Sequence, residues 1–340
     1  MKVFYGICGE GLGHSGRAIA LIERLTALGH RVIIFTFADA YQLMARSGYD
    51  AQRIAGLQFA VSADGSVNLL GTVRKFSRYL QSRRQSLDMI RQMALAERPD
   101  LFITDFEPLT SLAAASLRIP CISVDSQHRF CHPLRCELPL HLRAYARLAG
   151  EFVGRWIKAP QLSIVAVFHD CSASRHYRRV EALQRDRIAR LRPCDGDHVV
   201  LYGRGEIGRR MAQIASSVPE RFIAYGFNGM TAPNIEYMQA SYEQFAADLA
   251  SCKAVVSTAG QQLIGEARYF GKPLLAVPIR KQYEQEINAR LVRTEGIGDF
   301  CPIDRLSAER IQQFLQRRFA RSRPANGLDQ ALELMRIGYG

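Results

Sequence analysis

Residues 257 to 288 constrain this chain more than any other stretch. Just before them, Ala254-Val255-Val256 is a short apolar run of the kind a buried parallel strand shows. Ser257, Thr258 and Gly260 then offer helix-start chemistry, and Gln261 to Phe270 reads as a helix. Gly271 is placed to end that helix, with Pro273 just beyond it, and Leu274 to Val277 resume a buried strand. The spacing predicts a strand–loop–helix–strand unit whose loop puts a small-residue backbone at a helix N-terminus. Such a terminus has free N–H groups and a partial positive charge, so it suits a phosphate. Glu266 comes well into the helix, where a carboxylate is poorly suited to phosphate but well suited to accepting two sugar hydroxyls. Together the two features describe a site for a nucleoside diphosphate.

The run from Ser257 through Glu266 to Asn288 resembles the donor-site signature of GT-B glycosyltransferases. Within them it is most similar to the family that adds N-acetylglucosamine to the lipid-linked peptidoglycan precursor. The resemblance implies Gly260 and Gln261 at the donor phosphates, Glu266 at the ribose, and Glu284 and Gln285 at the sugar hydroxyls. Glu284 departs from the Gln or Asp common at its position, which leaves the sugar open. The fold so implied is α/β, two doubly wound Rossmann-like domains facing across a cleft.

The first loop tells a related story. Lys2 to Cys8 is a compact apolar run, followed by Gly9-Glu10-Gly11-Leu12-Gly13-His14-Ser15-Gly16-Arg17, a helix through Leu28 and a second strand from Arg31 to Phe37. Gly11, Gly13 and Gly16 satisfy G-x-G-x-x-G, and Asp39 lies about where a dinucleotide-binding acid would, so a Rossmann NAD or flavin enzyme is the main rival reading. The Gly-x-Gly-His run instead resembles the first loop of the glycosyltransferases, where Gly11 and Gly13 let backbone approach donor or acceptor. His14 falls at the strand's C-terminal edge, where α/β ligands bind, although a plain helix-cap role is also open. Asp105 and Asp125 each end an apolar run, and with His128 they are expected at the same cleft edge. His128, Cys131, His132 and Cys136 match no zinc pattern well, and no metal and no cofactor is expected.

At 340 residues the chain can hold two ordinary α/β domains. The expected division is 1–170 for the acceptor side, a basic linker 171–197, a donor domain 198–322, and a helix at 323–340 that packs back on the first domain. Gln161 to Phe168 reads as the first domain's last strand, and Gly226 and Asn228 are placed to contact a base. No apolar run is long enough to span a membrane, the glycines come too early for a signal peptide, and eight scattered cysteines fit reduced thiols. A cytoplasmic setting is expected. The net charge of +13 points to an anionic partner, either nucleic acid, nucleotide or anionic membrane. Between Asn68 and Arg98 a Phe/Tyr/Leu stripe carries Arg74, Lys75, Arg78, Arg83 and Arg84, a pattern of a membrane-surface helix or of a solvated one.

The activity expected is transfer of a sugar from a nucleoside-diphosphate donor, with uridine favoured as the base, to a hydroxyl acceptor that includes lipid-linked ones, at the inner membrane face. His14 is the first choice for the base that takes the acceptor proton, and Asp125 the second. A nucleotide-sugar epimerase and a nucleic-acid-binding protein are the remaining alternatives, the latter lacking any recognisable recognition module.

Overall fold

Continuous burial in the strands shapes the architecture. The computed structural model describes residues 1–340 except 11, 59–68, 159, 228, 240 and 338–340, so Gly11, Asn68 and Asn228 lie outside the described residues. The first half runs β1 (Lys2–Ile7), α1 (Leu12–Ala27), β2 (Arg31–Thr36), α2 (Ala38–Arg46), β3 (Ala51–Arg53), α3 (Leu69–Glu97), β4 (Leu101–Asp105), α4 (Pro108–Leu117), β5 (Cys121–Asp125), α5 (Leu140–Trp156), β6 (Leu162–Ala166) and β7 (Tyr177–Val180). A short α6 (Asp186–Ala189) leads across to β8 (His198–Tyr202), α7 (Gly205–Ala215), β9 (Arg221–Tyr225), β10 (Ile235–Met238) and α8 (Tyr242–Ser251). Then follow β11 (Ala254–Ser257), α9 (Gln261–Tyr269), β12 (Leu274–Ala276), α10 (Tyr283–Thr294), β13 (Gly298–Phe300), α11 (Ala308–Gln316) and α12 (Gly327–Ile337).

Two sheets result, ordered β3-β2-β1-β4-β5-β6-β7 and β10-β9-β8-β11-β12-β13. Every strand pair is parallel. β4, β5 and β11 are buried along their whole length, because helices cover both faces of each sheet. In both sheets the strand order reverses beside the first strand, at β1 and β8, and α/β proteins bind ligands outside the strand ends at such points.

The segment expected to be a basic linker is partly sheet. β7 adds a seventh strand beside β6, so the first sheet does not end with the run from Gln161 to Phe168. Tyr177 and Val180 are buried at its two ends while Arg178 is exposed and Arg179 half-buried between them, so the strand lies inside a sequence that reads as charge. At the other end, Leu328, Ala331, Leu332 and Met335 of α12 join the core formed by Val3, Tyr5, Ile19 and Leu101. Asn326 holds the start of α12 by accepting from Gln184 N at 2.9 Å and donating to Gln184 O at 3.0 Å.

The two halves also share apolar packing. Phe130, Leu138, Leu142 and Phe168 from the first half belong to one cluster with Leu249, Val255, Leu263 and Ile287 of the second. Arg24 of α1 adds ion pairs to Asp186 and, at 2.9 Å, to Asp329. No helix among the described residues is long and apolar enough to cross a membrane.

Candidate active site

Parallel strands end on one edge, and the loops on that edge bring the first turns of α1 and α9 together. A Cβ placed on Gly13 would lie 3.7 Å from the Cβ of Gln262. α9 has no side-chain cap, because its N-cap residue is Gly260 and glycine has no side chain to offer. A Cβ on Gly260 would meet nothing within 4 Å, so the space before the helix is open. The loop is nonetheless firmly set. Gly260 N donates to Thr258 O at 2.8 Å, and Asn288 Nδ2 donates to Ala259 O at 2.8 Å from α10. Gly271, at φ +66°, closes the helix in a left-handed conformation that suits glycine.

Glu266 lies further along α9 and is buried. Its Oε1 accepts from Gln262 Nε2 at 3.0 Å and Tyr242 Oη at 3.3 Å. Burial pushes its pKa up to about 7, against the smaller opposing effect of those hydrogen bonds and of Arg185. Gln285 Oε1 accepts from Ile279 N at 3.0 Å, which keeps its amide nitrogen available. Glu284 and Gln261 both bond to a residue that sequence reasoning missed, Arg129. Its Nη2 lies 2.9 Å from Glu284 Oε1 and its Nη1 donates to Gln261 Oε1. Arg129 belongs to a single 3-10 turn (Gln127–Cys131) that follows β5, so it reaches from one sheet's edge to the other's. The only sequence signal for it is its place just after a strand end.

On the first half's side, His14 stands in the first turn of α1 with its side chain 13% exposed. Its Nδ1 is 2.7 Å from Asp105 Oδ1. Arg17 Nη2 also lies 3.1 Å from Nδ1. An ionised Asp105 can only accept, so the proton is assigned to Nδ1 and Nε2 is the accepting nitrogen, with Gln127 Nε2 3.4 Å from it. Asp105 is fully buried and held by Arg17, whose Nε and Nη2 donate to its two oxygens at 2.9 and 2.7 Å. Asp105 therefore stands behind the histidine, not in the cleft. Asp125 is enclosed too. It accepts from Ser123 Oγ at 2.5 Å, His128 Nδ1 at 2.6 Å and His128 N at 2.9 Å. Burial works against its ionisation, but the His128 charge and these bonds outweigh it and hold Asp125 well below the usual carboxylate range. Asp105, Asp125 and His128 thus follow neighbouring strands of one edge, but the Asp105 oxygens are turned to His14 and Arg17 and the Asp125 oxygens to Ser123 and His128.

No group of three or more His, Cys, Asp or Glu side chains among the described residues could hold a metal. Cys131 Sγ donates weakly to Gly150 O, and the His132 ring packs 3.9 Å from that of Tyr177. Asp39, the acid of the dinucleotide reading, sits in the first turn of α2.

Two fully parallel α/β sheets meeting at their strand ends, with a polar site between two helix starts, define the GT-B class of glycosyltransferases. The chain belongs to glycosyl transferase family 1, whose model matches residues 1–318. That membership displaces the NAD, flavin, epimerase and nucleic-acid readings: the protein is a glycosyltransferase. A glycosyltransferase of Methanosarcina acetivorans is 24% identical over 88% of this chain and 85% of its own. One from Methanosarcina mazei is likewise 24% identical, over 88% and 85%. Among solved structures, the calicheamicin glycosyltransferase CalG4 superposes with a TM-score of 0.66 at 17% identity, covering 99% of this chain and 98% of its own. SsfS6 of Streptomyces sp. SF2575, complexed with thymidine diphosphate, gives a TM-score of 0.62 at 17% identity over 100% and 96%.

The raised pKa of Glu266 generates a pH dependence. The fold favours the protonated acid, so its stabilising effect is complete below pH 4.5 and is lost as pH rises through about 7. A nucleotide whose ribose donated to this carboxylate would favour the ionised form, so its affinity should rise by up to about tenfold per pH unit as pH climbs toward 7, with release of a proton below that pH. Calorimetry in buffers of different ionisation enthalpy should show that release, and Glu266→Gln should abolish this component. An unchanged pH profile in the variant would remove Glu266 from the site.

Proposed function

We propose that the protein transfers a sugar from a nucleoside-diphosphate donor, with uridine diphosphate as the carrier, to an acceptor hydroxyl. The observation that carries this reading is the approach of two unlike helix starts. One bears a histidine backed by a buried aspartate, and the other is an uncapped N-terminus with open space before it. The donor diphosphate lies at Gly260 and Gln261, its ribose on Glu266, and its sugar against Glu284 and Gln285. Thymidine is the second choice of base, because SsfS6 was solved with thymidine diphosphate.

The acceptor oxygen attacks the anomeric carbon as the bond from that carbon to the diphosphate oxygen breaks. His14 Nε2 takes the acceptor proton, and Asp105 stabilises the imidazolium that forms while fixing its orientation. The leaving diphosphate carries away the electron pair, and the dipole of α9 stabilises its charge. Attack from the face opposite the leaving group inverts the anomeric centre. His14 is preferred to Asp125 as base because the Asp125 oxygens are already committed and fully buried. Against the sugar donors the wild type turns over, His14→Ala should lower turnover by about 10²- to 10⁴-fold with donor affinity nearly intact. Asp105→Asn should also slow turnover through loss of the orienting carboxylate. Turnover of His14→Ala within a few-fold of wild type, measured by release of the nucleoside diphosphate, would reject this base.

We assign the acceptor to a lipid-linked class reached from an anionic membrane surface. Phe76 and Leu80 of α3 and Leu148 and Phe152 of α5 are exposed, and the Tyr79 and Trp156 rings, 5.8 Å apart, join the two helices. Arg74, Arg78, Arg83 and Arg84 are exposed around them, with Lys75 half-buried. Phe106 links this face to the site, lying 6.4 Å from both the Phe152 and His14 rings. Each cation near an anionic surface contributes about 1 kcal/mol, so the cluster can hold the protein at the interface without an anchor. Flotation with liposomes should rise with anionic lipid and fall when Arg74, Lys75, Arg78, Arg83 and Arg84 are changed to Gln. Binding that ignores both would transfer the assignment to a freely diffusing acceptor.

A further inference from the structure

Arg129 is among the largest side chains buried completely in the molecule. Burial lowers its pKa from the ordinary arginine value, against the attraction of Glu284, so the guanidinium is short of compensating charge. Its ion-pair partner among the described residues, Glu284, is itself 32% exposed, and the other bond runs to the neutral amide of Gln261. Arg129 Nε has no hydrogen-bond partner among the described residues. A buried, unsatisfied donor of this kind costs about 1–3 kcal/mol, more when charged. The site doubles the imbalance, because the guanidinium contacts the first residue of α9, whose uncapped N-terminus is also positive. Arg17, whose charge opposes that of Arg129, is already paired with Asp105. The Arg129 guanidinium and the positive start of α9 are thus neighbours, with the partly exposed Glu284 carboxylate paired to the guanidinium.

We propose that Arg129 is a ligand for the donor diphosphate, supplied across the cleft by the first half of the chain, and that Glu284 holds its place until the donor arrives. On binding, the guanidinium exchanges the carboxylate for phosphate oxygens, to which its planar fork is matched. Glu284 is then released to accept hydroxyls of the sugar. Occupancy of the diphosphate subsite and formation of the sugar subsite become one event, so a nucleotide without its second phosphate leaves the pair closed. This inference rests on the donor reading above, which it deepens.

The test is calorimetric titration of wild type, Arg129→Met, Arg129→Lys and Glu284→Gln with uridine diphosphate and uridine monophosphate, and with the thymidine and guanosine pairs. Wild type should prefer the diphosphate. Arg129→Met should lose diphosphate affinity by about ten- to hundredfold, the size of a hydrogen bond to a charged group, with monophosphate affinity close to wild type. Arg129→Lys should recover only part of the loss, since an ammonium lacks the fork. Glu284→Gln should bind diphosphate more tightly than wild type, because the competing carboxylate charge is gone. This last variant keeps the question answerable even if Arg129→Met does not fold. Equal weakening of both nucleotides in Arg129→Met, or an unchanged diphosphate affinity in Glu284→Gln, would overturn the proposal and leave Arg129 as a domain tie. A wild type that binds none of the six nucleotides would instead overturn the donor reading, and this inference with it.

Discussion

Parallel pairing in both sheets is the constraint on which the remaining structure depends. A parallel strand can be reached only by a crossover, so each sheet must be clothed in helices and each strand must be buried on both faces. All strands then end on one edge, and the helices that follow them begin there. Their N-termini, with free N–H groups and positive dipole ends, crowd the place where the two sheets meet. The shared apolar cluster of Phe130, Leu142, Val255 and Ile287 keeps the edges in register with one another. Chemistry is thereby assembled from loops on a rigid base.

The electrostatics of this edge follow a consistent sorting. Asp105 sits between Arg17 and His14, and Asp125 between Ser123 and His128, so on the first half's side the buried carboxylates are fully committed. Around the start of α9, where Arg129 of the first half reaches across to Gln261 and Glu284, the buried groups are under-committed. Glu266 is held near neutral pKa by burial, Asn288 Oδ1 and Arg129 Nε have no partner among the described residues, and α9 is uncapped. A satisfied network orients a catalytic group, whereas an unsatisfied one costs stability until a ligand completes it. Glu107 is a useful contrast, since burial raises it to about 7 as well, yet it caps α4 through Leu109 N and Thr110 N and has a structural role. A raised pKa alone therefore does not mark the site. Position on the strand-end edge does.

Much of this was legible in the residues. The β11–α9–β12 unit could be read because apolar runs and glycines punctuate it at lengths that fit a strand and a helix. The helix α3 was legible from its periodicity, and β4 and β5 from apolar runs ending in aspartate. β7 was not, because its arginines made a half-buried strand look like a basic linker. Asp105 was legible as an acid at a strand end, but not as the residue behind His14, since that contact spans 91 positions of sequence. Arg129 was invisible for a deeper reason. Arginine is among the residues least often buried, and only the packing of the 3-10 turn against α5 and β6, with its side chain reaching Gln261 and Glu284, takes it out of water.

The most direct measurement of the central claim is amide hydrogen exchange with and without a saturating nucleoside diphosphate. Phosphate oxygens at the uncapped start of α9 would engage the backbone N–H groups of Gln261, Gln262 and Leu263, and engagement of Arg129 would steady the turn from Gln127 to Cys131. Exchange should slow at both places, with the start of α7 little changed. Ligand-dependent protection confined to the glycine turn before α7, with none at α9, would contradict it.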